Sequence, residues 1–180
     1  MLELKDATLT IGGQTLFERL SLMALDGQMT CITGPHGAGK TALVQVMLGF
    51  LPLDEGLVSI DGELLTPLSA PTFRRQMAYV PQSRPVTLSP TPADTSGLET
   101  VWSPWGTSRH QLTPIDDLLD VAPMATKPII IIDDPAPSML STLASLANGG
   151  HTVVVATERE EFINLSDKII TLGNHDTVIS

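Results

Sequence analysis

An α/β fold with a mostly parallel central sheet and an N-terminal antiparallel β flank is predicted by three observations. Short, fully apolar, β-branched runs at 129–132 and 152–156 alternate with segments of helical period, the pattern of parallel strands covered on both faces. Glycine turns, Gly12-Gly13 and Asp61-Gly62, separate apolar residues in the first third, as in hairpins. A third apolar run, 29–33, stops at a glycine-rich loop that opens a helix-period segment, giving strand, loop and helix in order. At 180 residues the chain fits one domain, 1–180, with one main core.

The elements follow along the chain. Apolar alternation at Leu2/Leu4 and Leu9/Ile11, answered after the turn by 14–17, predicts short antiparallel strands. In 40–48 the apolar residues Leu43, Val44, Met47 and Leu48 fall on one helical face. Residues 56–60 and 63–65 flank Asp61-Gly62 and add a second hairpin, and 77–80 is a further short strand. The texture then changes: 83–128 carries seven of the fourteen prolines, too many for a long helix, and only 115–121 reads as a helical turn or two. Regular structure returns with a strand at 129–132, a helix at 139–147 closed by Asn148-Gly149-Gly150, a strand at 152–156, a helix at 159–165 and a strand at 168–172.

Composition excludes several classes. Ten basic against twenty acidic residues give a net charge of −10, which argues against a nucleic-acid partner held by its phosphates. The apolar stretch 41–53 is too short for a membrane span, so direct membrane insertion is not expected. The N-terminal residues lack a basic start followed by an apolar run, and Cys31 has no partner for an internal disulfide; both favour a cytoplasmic protein. A mean hydropathy of +0.18 suits a subunit that keeps apolar surface for partners.

Chemistry concentrates in two motifs. Gly34-Pro35-His36-Gly37-Ala38-Gly39-Lys40-Thr41 matches G-x-x-x-x-G-K-[ST] between a strand and a helix. Its glycines let backbone N–H groups turn inward around phosphates, Lys40 reaches the terminal phosphates, and the Thr41 hydroxyl is a Mg²⁺ ligand. Residues 129–132 then lead into Asp133-Asp134, which puts Asp133 at a strand end as the metal-side carboxylate and Asp134 where a general base for water would stand. The Asp134 side chain is one methylene shorter than Glu, which weakens that base. Together these predict a P-loop NTPase fold.

With Leu2-Glu3-Leu4, Leu57-Val58-Ser59-Ile60-Asp61-Gly62 and Tyr79-Val80-Pro81-Gln82 in the same order, the chain resembles the nucleotide-binding subunit of an ABC transporter. The resemblance is close over 1–82 and looser from 129 onward. It implies a P-loop core formed by 1–82 and 129–180, and a shortened, proline-rich remnant of the helical subdomain at 83–128. It also implies ATP and Mg²⁺ as cofactors, and Gln82 as the glutamine that senses Mg²⁺ and γ-phosphate. The partners implied are a separate transmembrane subunit and a second nucleotide-binding subunit, in a homo- or heterodimer peripheral to the cell membrane.

Departures from the family pattern cluster in the parts that commit ATP to hydrolysis. Ile11 stands where the family has an aromatic residue that stacks on adenine, leaving an apolar contact only. Thr107-Ser108-Arg109-His110-Gln111 is the best remnant of the signature loop and has lost both glycines; Arg109 either crowds it or supplies a positive charge. Glu158 occupies the place of the switch histidine, and a carboxylate there repels a phosphate instead of donating to it. The segment after Asp134 keeps Pro135 but lacks the element that bridges two subunits. Trp102 and Trp105 are either partner anchors or a small local core. The expectation is an ATP-binding subunit with weak hydrolysis. The alternatives are a nucleotide-binding regulatory or structural subunit without turnover and, third, a P-loop kinase.

Overall fold

The structure, a computed structural model, describes residues 1–82, 124–173 and 178–179. The expected helix at 115–121, the remnant at Thr107 to Gln111, and Trp102 and Trp105 lie outside the described residues.

The flank is a four-stranded antiparallel sheet in the order β2-β1-β4-β5, formed by β1 (Leu2–Ile11), β2 (Gln14–Ala24), β4 (Glu55–Ile60) and β5 (Glu63–Leu64). Both hairpin turns have positive φ at their two central residues, Gly12 and Gly13 in one and Asp61 and Gly62 in the other. That geometry matches the twist of the flanking strands, and Gly, Asn and Asp accept it most readily. Where the sequence suggests separate short strands, β1 is continuous. Register shifts between Leu4 and Thr10 absorb the break in alternation, with Asp6 and Arg19 in the left-handed region.

The central sheet has the order β10-β9-β3-β8-β7-β6, formed by β3 (Met29–Thr33), β6 (Met77–Val80), β7 (Ile129–Asp133), β8 (Thr152–Ala156), β9 (Lys168–Thr171) and β10 (Val178–Ile179). All its pairings are parallel except β9 with β10. Every residue of β7 and β8 is buried because each strand is covered on both faces. Ile129 and Ile131 join a core with the antiparallel sheet and α1 (Lys40–Met47), whereas Ile130 and Ile132 face Leu143 of α3 (Leu140–Asn148) and Phe162 of α4 (Glu160–Leu165). This period-two division places α3 and α4 on one face of β7 and α1 with the antiparallel sheet on the other.

β2 runs well past the expected 14–17, β10 is not anticipated, and two helical segments also differ from expectation. A five-residue helix, α2 (Ala70–Arg74), precedes β6 with Pro71 in its first turn; it is too short to reveal itself by periodicity. Met139 belongs to a 3₁₀ turn, Pro137–Met139, that leads into α3. The strand order then fixes the position of the site. β3 lies between β9 and β8, and β8 lies beside β7, so the loops leaving β3, β7 and β8 open side by side at one edge.

Candidate functional site

The loop at 34–41 is shaped by its backbone. Gly34, Gly37 and Gly39 have φ of 142°, 83° and 95°, a range that side chains other than glycine rarely accept. Crowding adds a second constraint at Gly34, where a Cβ would lie 2.3 Å from the Leu172 carbonyl oxygen. Leu172, buried after β9, also donates its N–H to Thr33 O at 2.8 Å, holding the chain against the loop entrance. At Gly39 a Cβ would stand 3.0 Å from Leu16 Cβ, so the N-terminal hairpin covers the start of α1. Ala38 is buried and donates its N–H to Pro35 O at 3.1 Å.

Around this loop lies a cavity of about 560 Å³ lined by His36, Gly37, Gly39, Lys40, Thr41, Gln82, Asp133, Asp134, Thr157, Glu158 and Arg159 among others. Most residues expected to bind phosphate or metal therefore converge. Gly34, Pro35 and Ala38 of the loop do not line the cavity, and neither does Ile11, which is 47% exposed at the end of β1.

Thr41 Oγ1 donates to Asp133 Oδ2 at 2.7 Å, joining the first turn of α1 to the end of β7. Asp133 is buried, and burial pushes its carboxyl above the usual range. The Thr41 hydrogen bond opposes that shift, the Asp134 carboxylate adds to it and Lys40 opposes it. The same neighbourhood raises the Tyr79 hydroxyl to about 12, first by burial and then through Asp133. Thr41 and Asp133 offer hard oxygen donors, and Gln82 adds an amide oxygen, a set suited to Mg²⁺.

Asp134 has φ of 52°, a left-handed conformation that Asp tolerates better than most residues. Its N–H donates to Ala156 O at 2.7 Å, which anchors the turn to β8. Its carboxylate accepts from Gln82 Nε2 at 3.3 Å and Thr157 Oγ1 at 3.2 Å, and pairs with Arg159 Nε at 3.4 Å. Lys40 Nζ donates to Gly34 O, Pro35 O and Glu158 Oε1 at 2.6, 3.0 and 2.6 Å. Sequence reasoning does not anticipate the partners of Glu158 and Arg159. The missing signal is strand order, which brings the loop after β8 beside the glycine loop.

A parallel sheet whose β3 enters a glycine loop and α1, flanked by an antiparallel sheet, defines an ATP-binding-cassette form of the P-loop fold. Solved structures agree. The ATP-binding subunit of an ABC transporter superposes with a TM-score of 0.69 at 21% identity, covering all of this chain and 89% of that one. The cassette MJ0796, in a dimeric post-hydrolysis state bound to ADP and Pi, gives 0.66 at 18% identity, covering all of this chain and 98% of that one. The profile of the ABC transporter family matches residues 17–129, more than half of the chain, and the protein belongs to that family.

Among curated relatives, the Fe(3+) ions import ATP-binding protein FbpC 2 of Pectobacterium atrosepticum is 34% identical over 46% of this chain and 24% of its own length. The manganese transport system ATP-binding protein MntB of Listeria monocytogenes is 32% identical over 49% and 35%. The intermembrane phospholipid transport system ATP-binding protein MlaF of Escherichia coli is 33% identical over 46% and 32%. The chain thus spans about a quarter to a third of the length of these curated relatives.

Proposed function

We propose that the chain is a single ABC-type nucleotide-binding domain that binds MgATP within a transport system and hydrolyses it slowly. The observation that carries this reading is the bond from Thr41 to buried Asp133 beside the positive-φ glycine loop. Thr41 and Asp133 would hold Mg²⁺, with Gln82 nearby, and the ion would neutralise charge on the phosphates. The loop 34–41 wraps the phosphates with backbone N–H groups, and Lys40 adds a cation at their outer end. Ile11 lies outside the cavity lining and would meet only a base that extends beyond it toward the end of β1.

Asp134 is the candidate general base. Its carboxylate is already held by Gln82, Thr157 and Arg159, so orienting a water requires exchanging one of those partners. Glu158 removes a phosphate donor from the same edge. General-base and electrostatic contributions are each typically worth roughly 10² to 10⁴ in rate, so slow turnover follows. These two features also support a second reading, a regulatory subunit that binds nucleotide without turning it over.

The partners in this reading are a separate transmembrane subunit and a second nucleotide-binding subunit. The chain would act at the cytoplasmic face, with 83–128 as a shortened helical subdomain. Among the described residues no helix is long and apolar enough to cross a membrane. The test is MgATP binding together with steady-state phosphate release, each measured in wild type and Lys40→Ala. Binding lost in the variant supports the site. Phosphate release that the variant abolishes supports the enzyme, and release equal to the variant's supports the regulatory subunit.

A further inference from the structure

Lys40 has no spare donor. An ammonium carries three N–H groups, and here they are directed at Gly34 O, Pro35 O and Glu158 Oε1. The two carbonyls belong to the loop itself. The third partner is an anion from another element, delivered by the pairing of β8 with β3 that runs from Met29↔Val153 to Ile32↔Ala156. Lys40 is 14% exposed and Glu158 53%, so the ammonium is fixed and the carboxylate is the partner free to leave for solvent.

We propose that Glu158 is a specificity-determining residue whose carboxylate holds Lys40 in place of a terminal phosphate, so that the pocket prefers a nucleoside diphosphate to a triphosphate. The inference rests on the nucleotide-site reading and deepens it. Backbone N–H groups of a glycine loop enclose the inner phosphates without involving Glu158, whereas the loop lysine reaches the outer ones, so a third phosphate asks more of Lys40 than the second does. If Glu158 stays, two anions share one ammonium; if it swings away, an ion pair is lost. Either penalty falls more heavily on the triphosphate, which places the extra negative charge beside Lys40 and Glu158.

The rest of the pocket does not offset it. Its lining carries the carboxylates of Asp133, Asp134 and Glu158 against two cations, Lys40 and Arg159, and each cation already faces a carboxylate. Such a site is poorly matched to the most highly charged member of a nucleotide series.

The experiment is calorimetric titration of the full chain with MgADP and with MgATP at one ionic strength, for wild type and Glu158→Gln. Wild type should bind MgADP more tightly than MgATP. The substitution, which keeps shape and removes charge, should tighten MgATP up to about fivefold while changing MgADP less than about twofold. An unchanged ratio of the two affinities, or equal tightening of both, overturns the inference and leaves the nucleotide site standing. Failure of both folded proteins to bind either nucleotide overturns the nucleotide-site reading instead. Glu158→Ala provides a second variant, and a ratio moving in the opposite direction there also overturns the inference.

Discussion

The two halves of the pocket are built in different ways. The glycine loop between β3 and α1 is a backbone device: its shape comes from positive φ and close approach, and few side chains contribute. The opposite wall, formed by the ends of β7 and β8, is a side-chain device. There Asp134 is held by buried Thr157 and half-exposed Arg159, and Glu158 reaches across to Lys40 of the loop. The first kind tolerates no Cβ at its tightest point, whereas the second exchanges partners at small cost.

The largest expected effect breaks the backbone wall. Gly34→Ala sets a methyl against the Leu172 carbonyl and should cost about 3 kcal/mol or more, read as a lower urea midpoint. Gly37→Ala meets no atom within 4 Å and pays only for its positive φ, about 1–2 kcal/mol. Equal losses for the two would remove the distinction between crowding and backbone strain.

Next in size is Thr41→Val, at the junction between the walls. It leaves the buried Asp133 carboxylate without its hydroxyl donor and should destabilise the ligand-free protein by about 1–3 kcal/mol. It should also abolish any extra thermal stabilisation that Mg²⁺ adds to nucleotide. A variant as stable as wild type would place the Thr41–Asp133 bond outside the folding energetics.

Asp133→Asn tests the same junction through pH. Burial holds the Asp133 carboxyl above its ordinary value of 3.8, so its folded pKa exceeds its unfolded one. A group raised in this way contributes stability that is fully present below pH 3.8 and lost as pH climbs through the raised value. At neutral pH the ionised carboxylate is therefore a burden on the ligand-free fold. Asp133→Asn should raise the melting midpoint there by about 2 °C, an advantage that disappears in acid, while Mg²⁺-dependent stabilisation is lost. A lower midpoint for the variant at neutral pH would contradict the sign.

The smallest effect belongs to the outer wall. Arg159→Ala removes a half-exposed partner of Asp134 and should change stability by no more than about 0.5 kcal/mol. A loss of several kcal/mol, measured by denaturant melt, would make this wall as rigid as the glycine loop.

Local chemistry was readable from the sequence wherever the cause is local. Gly12-Gly13 and Asp61-Gly62 mark hairpins because the turns demand positive φ at those positions. The four isoleucines at 129–132 mark a buried strand because both of its faces are covered. The loop 34–41 and Asp133 were each legible as motifs, but that Thr41 and Asp133 meet depends on the sheet order that brings the ends of β3 and β7 together. Helix α2 escaped because five residues carry no periodicity. The pairing of Lys40 with Glu158 escaped because it spans 118 positions and depends on β8 lying beside β3. Nothing near either residue states that order. Asp134 is a mixed case: its type was visible, but the φ of 52° that suits Asp better than the longer Glu was not.

The contact between Gly34 and Leu172 also bears on the order in which the protein acquires its properties. During synthesis the glycines and Lys40 emerge early, yet the carbonyl against which the loop entrance rests arrives only with the chain that follows β9. Contacts of such long sequence separation form late because chain entropy must be surrendered before they repay it. A nascent chain halted before that point would carry every residue of the motif and lack the wall that shapes it. The entrance of the glycine loop thus takes its final shape only once the residues after β9 are in place.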